Sequence, residues 1–214
     1  QVDDAARGFA FMKEGPLDMR FDPASGAFSA ADIVNTWAEE EIADVLYNYG
    51  EERASRRIAR AIVAARPLTT TTELAAVIAD AMPKSRGPRP KIHPATRSFQ
   101  ALRIAVNDEL GAVEDVIPRV LACLKPGGRL AIMSFHSLED RIVKQAFKHE
   151  ATECICPPRQ PVCTCDHHAR VKLITRKPMT ANDAEIAENP RSRSAKLRVV
   201  ELLPPYDAHE NDSV

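Results

Sequence analysis

Apolar residues recur at helical spacing between residues 30 and 90, after a first segment rich in Gly, Pro and Asp that predicts a loop. A side-chain oxygen of Ser29 or Asp32 can cap the first of these helices, and Pro83 ends the last. Three helices are predicted here, over residues 31–50, 51–66 and 69–82. Together they form a compact helical block of the size of an inserted subdomain.

The remainder of the chain alternates helical and strand-like patterns. Helical spacing continues through residues 95–124, where Gly111 and Pro118 predict a break between two helices. The later elements are predicted as a strand over 130–133, a helix over 137–147, a strand over 170–176, a short helix over 181–188 and a strand over 195–203. This order predicts an α/β fold and the second half of a doubly wound sheet.

Composition narrows the class of protein. The formal net charge is only −1, so any attraction to nucleic acid must come from local basic patches. No apolar run reaches membrane-spanning length, and the first residues lack the basic and apolar regions of a signal peptide. We therefore expect a cytoplasmic protein without a membrane partner. The first residue is Gln1, which suggests a chain that begins inside a longer protein.

Two hydroxyls, an aromatic ring and an imidazole directly follow the first predicted strand, as Ser134, Phe135, His136 and Ser137. Ligands bind at the carboxyl ends of parallel strands, so this quartet is a candidate site. In the alternative, the serines only cap the next helix while the ring and the imidazole pack. Ser137 is the predicted N-cap, and Asp140 is the predicted capping-box carboxylate.

Basic residues concentrate in three segments. The first contains four arginines at i, i+3, i+4 and i+7, which places them on one helix face: Arg53, Arg56, Arg57 and Arg60. The other two segments contain Lys84, Arg86, Arg89, Lys91 and Arg97, and then Arg191, Arg193, Lys196 and Arg198. If these segments converge, contact with phosphate groups explains them, because arginine matches phosphate geometry. The alternative for the first segment is a solvated face that pairs with Glu51 and Glu52.

Four of the five cysteines form two C-x-C pairs, Cys154 with Cys156 and Cys163 with Cys165. Four thiols on either side of a Pro-Pro turn can close tetrahedrally on zinc, although the usual spacing is C-x-x-C. The alternative is a loop of reduced cysteines. The fifth, Cys123, stands in an apolar segment and is predicted to lie in the core.

Four segments resemble one bacterial methyltransferase family, in the family's order: RGFAFMKEGPLDMR, HPATRSFQALRIAVNDEL, SFHSLEDRIVK and NPRSRSAKLRVVE. The family, often called MraW or RsmH, methylates the exocyclic amine of a cytidine in the decoding region of small-subunit ribosomal RNA. In addition, LKPGGRLAIMSFHSLEDR looks like the fifth-strand region of S-adenosylmethionine-dependent methyltransferases. The resemblance extends over about residues 1 to 203.

The resemblance implies the C-terminal part of a Rossmann-like class I S-adenosylmethionine methyltransferase with an all-helical inserted subdomain. Residues 1–29 and 91–214 then belong to the methyltransferase domain, and residues 30–90 form the insert. The family's Gly-Gly-His loop and its ribose-binding acid lie upstream of this sequence. Only Gln1 matches a cofactor-binding position, so we expect this chain alone to be inactive.

The resemblance also implies where the RNA binds. The residues expected beside the target base are Ser134, Phe135, His136, Ser137, Asn189 and Arg191. The ring can stack on cytosine, and we interpret His136 as a substrate-positioning group rather than a general base. The arginine segment of residues 53–60 is expected to contact the backbone of 16S ribosomal RNA in the small subunit. The alternative function is a non-catalytic RNA-binding or ribosome-assembly module. The catalytic proton acceptor and the oligomeric state stay open.

Overall fold

A computed structural model describes residues 4–83 and 92–206. The chain divides into two compact units, residues 1–109 and 110–214. The α-helices are α1 (Ala30–Thr36), α2 (Glu39–Gly50), α3 (Ser55–Ala64), α4 (Thr71–Ala81), α5 (Thr96–Asn107), α6 (Glu109–Cys123), α7 (Ser137–Glu150) and α8 (Asp183–Glu188). The strands are β1 (Arg129–Ser134), β2 (Val171–Leu173), β3 (Met179–Thr180) and β4 (Lys196–Leu202). Short 3-10 helices are found at Ala5–Arg7, Pro23–Ser25 and Pro190–Ser194.

The first unit packs α1 to α5 around one apolar core. Each helix contributes buried side chains, such as Ile33, Leu46, Ile62, Ile78 and Leu102. Residues of the first segment and of α5 belong to the same core. The compact unit therefore extends beyond residues 30–90 on both sides, and the bounds of an insert in the whole protein stay a prediction.

The helix predicted over residues 31–50 is two helices, so the prediction of one continuous helix is wrong. α1 begins after Ser29, whose hydroxyl accepts from the Asp32 amide, as one of the two predicted caps. The chain then leaves helical geometry at Trp37. The Arg66 guanidinium donates to the carbonyl of Trp37, and the Glu41 carboxylate accepts from the Ala38 amide. These contacts satisfy the backbone groups that the break exposes.

The predicted break inside residues 95–124 lies at another position. It occurs at Asp108, which takes a left-handed conformation (φ 47°) and donates its amide to the Ile104 carbonyl. Gly111 and Pro118 lie inside α6 instead. Cys123 is exposed rather than buried, since the apolar face of α6 carries Ile117 and Leu121. Two residues after Leu121, the side chain points away from that face.

The second unit is a small sheet covered by α6 and α7. β4 is the central strand, and β1, β2 and β3 all pair with it antiparallel. Every strand pair in the described sheet is therefore antiparallel. β1 and β2 do run in the same direction, connected through α7, but β4 lies between them. The α/β class is thus confirmed, while a doubly wound sheet stays a prediction for the whole protein.

The core of the second unit lies between the helices and the sheet. It contains Leu121 of α6, Val143 and Phe147 of α7, Val171 of β2 and Val200 of β4. Alternate residues of β1 point to opposite sides of the sheet, and those on the side away from this core are exposed. None of the helices in the described ranges combines the length and the apolarity that crossing a membrane requires.

Candidate functional site

The predicted quartet connects the end of β1 to the start of α7, and its four side chains have different environments. Ser134 is buried, with its hydroxyl 3.4 Å from the Lys196 carbonyl oxygen, whereas Phe135 is 54% exposed. The side chain of His136 is 9% exposed, and Ser137 lies at the surface. The structure therefore directs one large side chain, the ring of Phe135, to the outside.

The cap of α7 is His136, so the prediction of Ser137 as the cap is wrong. Nδ1 of His136 accepts from the Glu139 amide at 3.4 Å, and the Glu139 carboxylate accepts from the Phe135 amide at 2.8 Å. The capping bonds that were predicted for Ser137 and Asp140 are thus formed one residue earlier, by His136 and Glu139. Asp140 is therefore available for other partners. Burial opposes ionisation of Glu139, but hydrogen bonds from His136 and the Phe135 amide lower the pKa of its carboxyl.

A cavity of about 340 Å³ lies on the open side of the sheet, and we call it the sheet-edge pocket. Its apolar wall contains Met133 of β1, Met179 of β3 and Leu197 of β4, together with Phe135. The strand register explains this wall, since Leu197 is the pairing partner of both methionines. The polar lining includes Glu185, Asn189 and Arg191.

Three of the six predicted substrate-binding residues line the sheet-edge pocket: Phe135, Asn189 and Arg191. The other three, Ser134, His136 and Ser137, do not line it. The sequence analysis missed Met133, Met179 and Glu185. The alternation along β1 contained a signal for Met133, because Leu130 and Ile132 face the core and Met133 must then face the other side.

The loop that carries Asn189 and Arg191 is held by its own hydrogen bonds. Oδ1 of Asn189 accepts from the Arg191 amide at 3.2 Å, and its carbonyl accepts from the Ser192 hydroxyl at 2.8 Å. Pro190 opens the short 3-10 helix. The sequence Asn-Pro-Arg-Ser thus builds a turn that fixes the backbone position of Arg191 at the pocket.

The basic residues of β4 have an internal role. Arg198 is buried, and its guanidinium forms two hydrogen bonds with Asp140, at 2.7 and 3.1 Å. Nζ of Lys196 lies 3.2 Å from the same carboxylate. Hydrogen bonds from Arg198 and Lys196 hold the pKa of Asp140 below its usual range. The side chain of Arg198 is thus occupied inside the unit, so the conditional phosphate role of this basic segment does not extend to Arg198.

The predicted arginine face lies at the surface of the first unit. Arg53 precedes α3, and Arg56, Arg57 and Arg60 lie on it, all four exposed. The structure shows no pairing of this face with Glu52, which is buried and accepts from the Ala54 amide at 2.9 Å. Nε of Arg60 lies 3.4 Å from Oε1 of Glu39 instead, in an exposed pair that solvent weakens.

A second cavity, of about 750 Å³, lies beside this face, and we call it the arginine pocket. Its lining includes Arg53, Arg56 and Arg57, with Asp44 and with Tyr47, which is 60% exposed. An exposed ring beside three cations suits a base with its phosphate groups. In the second basic segment only Arg97 is described, and it is exposed; Lys84, Arg86, Arg89 and Lys91 lie outside the described residues.

The four cysteines of the two C-x-C pairs converge, with all four sulfur atoms within 4.8 Å of one another. Hydrogen bonds from the backbone amides of His167 and Ile155 lower the pKa of Cys165 to about 6. The Cys165 amide acts in the same direction on Cys163, but the neighbouring thiols outweigh it and raise the pKa of Cys163 to about 12.

The sequence profile of the MraW methylase family matches residues 1–203. The chain belongs to the MraW methylase family. The resemblance of the four sequence segments is thereby confirmed. Gln1, the residue that the resemblance assigned to the cofactor, lies outside the described residues.

Relatives within the MraW methylase family are more than half identical to this chain. The ribosomal RNA small subunit methyltransferase H of Geobacter sp. (strain M21) is 55% identical over 206 residues, which cover 95% of this chain and 65% of that protein. The protein of the same name from Thermomicrobium roseum is 54% identical, with 95% and 62% covered. That of Dehalococcoides mccartyi (strain 195) is 54% identical over 203 residues, with 95% and 57% covered. The chain spans less than two thirds of the length of these relatives.

Proposed function

We propose that the protein containing this chain transfers a methyl group from S-adenosylmethionine to the N4 amine of a cytidine in the decoding region of 16S ribosomal RNA. Family membership and the names of the relatives support methylation of ribosomal RNA. The observation that carries the acceptor side is the sheet-edge pocket, where Phe135, Asn189 and Arg191 meet. In this proposal the whole protein has a Rossmann-like sheet, with residues 30–90 as its helical insert.

The lining of the sheet-edge pocket suits a pyrimidine base. The exposed ring of Phe135 offers a stacking surface. Cytosine presents acceptors at O2 and N3 and a donor at its exocyclic amine. Arg191 supplies donors for the former or for a phosphate, and the Glu185 carboxylate is an acceptor for the amine. Such contacts hold the amine while the methyl donor approaches, which is an effect of positioning.

We assign His136 and Ser134 to positioning rather than to contact with the base. His136 caps α7 and binds Glu139, whose carboxylate fixes the amide of Phe135. Ser134 is directed toward β4. Both act on the ring of Phe135 through the backbone. This assignment revises the expectation that all four residues of the quartet lie beside the target base.

The cofactor supplies the methyl group, and the described residues carry the acceptor side of this chemistry. We propose that the chain alone neither binds S-adenosylmethionine measurably nor transfers a methyl group. The support is that the family's cofactor residues other than Gln1 lie upstream in the resemblance. Calorimetry on the 214-residue chain beside a protein of the relatives' full length tests this. Micromolar binding by the chain alone contradicts it.

We further propose that the arginine pocket binds the backbone of the RNA substrate. Three arginines and an exposed tyrosine line it: Tyr47, Arg53, Arg56 and Arg57. Their charges account for RNA affinity without a strongly basic chain. The same surface serves the alternative function, a non-catalytic RNA-binding module, so a test of methyl transfer must separate the two.

The deciding experiment uses the full-length protein with small-subunit RNA and S-adenosylmethionine, followed by digestion to nucleosides and mass spectrometry. We expect one N4-methylcytidine in the decoding region. Replacing Phe135 by Ala lowers kcat/KM by about 10- to 100-fold through the lost stack, and Phe135→Tyr restores most of it. Phe21→Ala, a change of another exposed phenylalanine, serves as the control.

Two outcomes contradict the proposal. If RNA binds but no methyl group is transferred, the non-catalytic module is the better description. If transfer occurs and Phe135→Ala has no more effect than Phe21→Ala, the sheet-edge pocket is not the acceptor site.

A further inference from the structure

We propose that Cys154, Cys156, Cys163 and Cys165 bind one zinc ion through four thiolates, as a structural site separate from methyl transfer. The four sulfur atoms lie within 4.8 Å of one another and come from two C-x-C pairs. Convergence of four thiols on one point is what a tetrahedral sulfur site requires. The inference does not depend on the proposed function.

The sulfur–sulfur distances match a zinc tetrahedron. Zinc–sulfur bonds of about 2.3 Å give a tetrahedron with edges of about 3.8 Å. Four of the six distances are 3.4 Å for Cys154–Cys163, 3.5 Å for Cys163–Cys165, 3.8 Å for Cys154–Cys165 and 3.9 Å for Cys156–Cys163. The other two are within 4.8 Å. A disulfide requires about 2.05 Å, far shorter than any of these distances. The arrangement therefore suits a shared central ion better than two sulfur–sulfur bonds.

The loop between the two pairs is shaped to bring them together. The Gln160 amide donates to the Pro157 carbonyl at 3.0 Å, which closes a turn after the first pair. The Gln160 side chain then donates to the Val162 carbonyl at 3.0 Å and to the Thr164 hydroxyl at 2.7 Å. These bonds hold the residues on both sides of Cys163. The short C-x-C spacing is thus compensated by a fixed turn between the pairs.

A backbone donor also points at a sulfur atom of the cluster. The Thr164 amide lies 3.4 Å from Sγ of Cys156. An N–H group aimed at a ligand sulfur stabilises the thiolate and orients it, as outer hydrogen bonds do at metal sites. With four protein ligands the ion has no open coordination position, which is typical of a structural zinc site rather than a catalytic one.

The surroundings explain why a metal is useful here. The loop leaves α7 and returns at β2, yet it buries little apolar surface: Ile155 is 48% exposed and Val162 is 70% exposed. At its base the Arg170 amide donates to the Glu150 carbonyl at 2.8 Å. A metal at the cysteines closes the loop above this base, where hydrophobic packing does not.

The test begins with metal analysis of the protein purified under reducing conditions without chelators. We expect about one zinc per chain, and replacement by Co²⁺ gives the absorption bands of a tetrahedral thiolate site. Cys156→Ser and Cys163→Ser each lower the zinc content by at least tenfold. Cys123→Ser, a change of the exposed cysteine outside the cluster, leaves it unchanged.

If the cysteine variants fail to fold, a second measurement on the wild-type protein tests the zinc site. Chelation of the wild-type protein releases the zinc and speeds proteolysis within residues 153–168, while far-UV circular dichroism keeps its helical signal. If reduced, metal-free protein shows no thiolate absorption bands after Co²⁺ is added, the proposal is overturned. Iron in place of zinc also overturns it.

Discussion

Asp140 and Arg198 form a two-point ion pair that joins the first turn of α7 to the central strand β4, with Nε–Oδ1 at 2.7 Å. The two residues are 58 positions apart in sequence. Asp140 follows the quartet closely, and Arg198 follows the loop of Asn189 and Arg191. The pair therefore holds together two segments that line the sheet-edge pocket, one on each side.

The first prediction concerns the free energy of unfolding. Asp140→Asn leaves the buried Arg198 charge without its counterion, and we expect a loss of about 3 kcal/mol in urea unfolding. The control is Asp115→Asn, which removes an exposed pair with Arg119 and costs less than about 0.5 kcal/mol. Equal stability of the Asp140 variant and the wild type contradicts the prediction.

The second prediction concerns pH. The pKa of Asp140 is lower in the folded protein than in the unfolded chain, so its contribution to stability is complete above the unfolded value and is lost as pH falls. We expect wild type and Asp140→Asn to differ most at pH 7 and to converge below about pH 4. Urea unfolding of both proteins across this range measures the convergence. A difference that stays constant down to pH 3 contradicts it.

Helix positions were predictable where they depend on neighbouring residues. α4 begins after Thr70, whose hydroxyl accepts from the Glu73 amide, and the threonine run marks this start in the sequence. The separate start of α2 was not predictable in this way. It depends on Arg66, which donates to the Trp37 carbonyl from 29 residues away. No local pattern reports such a contact.

In the sheet and in the candidate site, too, features that depend on neighbouring residues were predictable and features that depend on distant residues were not. The strand positions follow from apolar runs, but the central place of β4 depends on pairing between distant segments. The sequence shows arginine at position 198 without showing its partner, so its buried ion pair with Asp140 was not predicted. Conversely, residues 135, 189 and 191 were grouped through family resemblance, and the structure brings them to one pocket.

The third prediction concerns the salt dependence of RNA binding. Changing Arg56, Arg57 and Arg60 to Glu in the full-length protein removes exposed cations. For single-stranded RNA each phosphate contact contributes about 0.7 to the slope of log affinity against log salt, so we expect the slope to fall by about two. Affinity for S-adenosylmethionine stays unchanged. Filter binding at four salt concentrations measures the slope.

The control for this prediction is a second triple variant of exposed cations: Arg119→Glu, Lys125→Glu and Arg159→Glu. It makes the same change in net charge, so any effect of overall charge appears in both variants. A drop in slope of the same size in the control would show that the α3 arginines form an ordinary solvated face.

The last prediction concerns Tyr47, whose ring is 60% exposed beside the arginines of the arginine pocket. If an RNA base stacks on this ring, Tyr47→Ala weakens RNA binding by about 1 to 3 kcal/mol, while Tyr47→Phe retains most of the affinity because it keeps the ring. Unlike the arginine changes, Tyr47→Ala leaves the salt slope nearly unchanged, because stacking releases no counterions. Tyr206→Ala removes another exposed tyrosine and serves as the control. Equal affinities for Tyr47→Ala and Tyr206→Ala at every salt concentration would show that the arginine pocket contacts phosphate without holding a base.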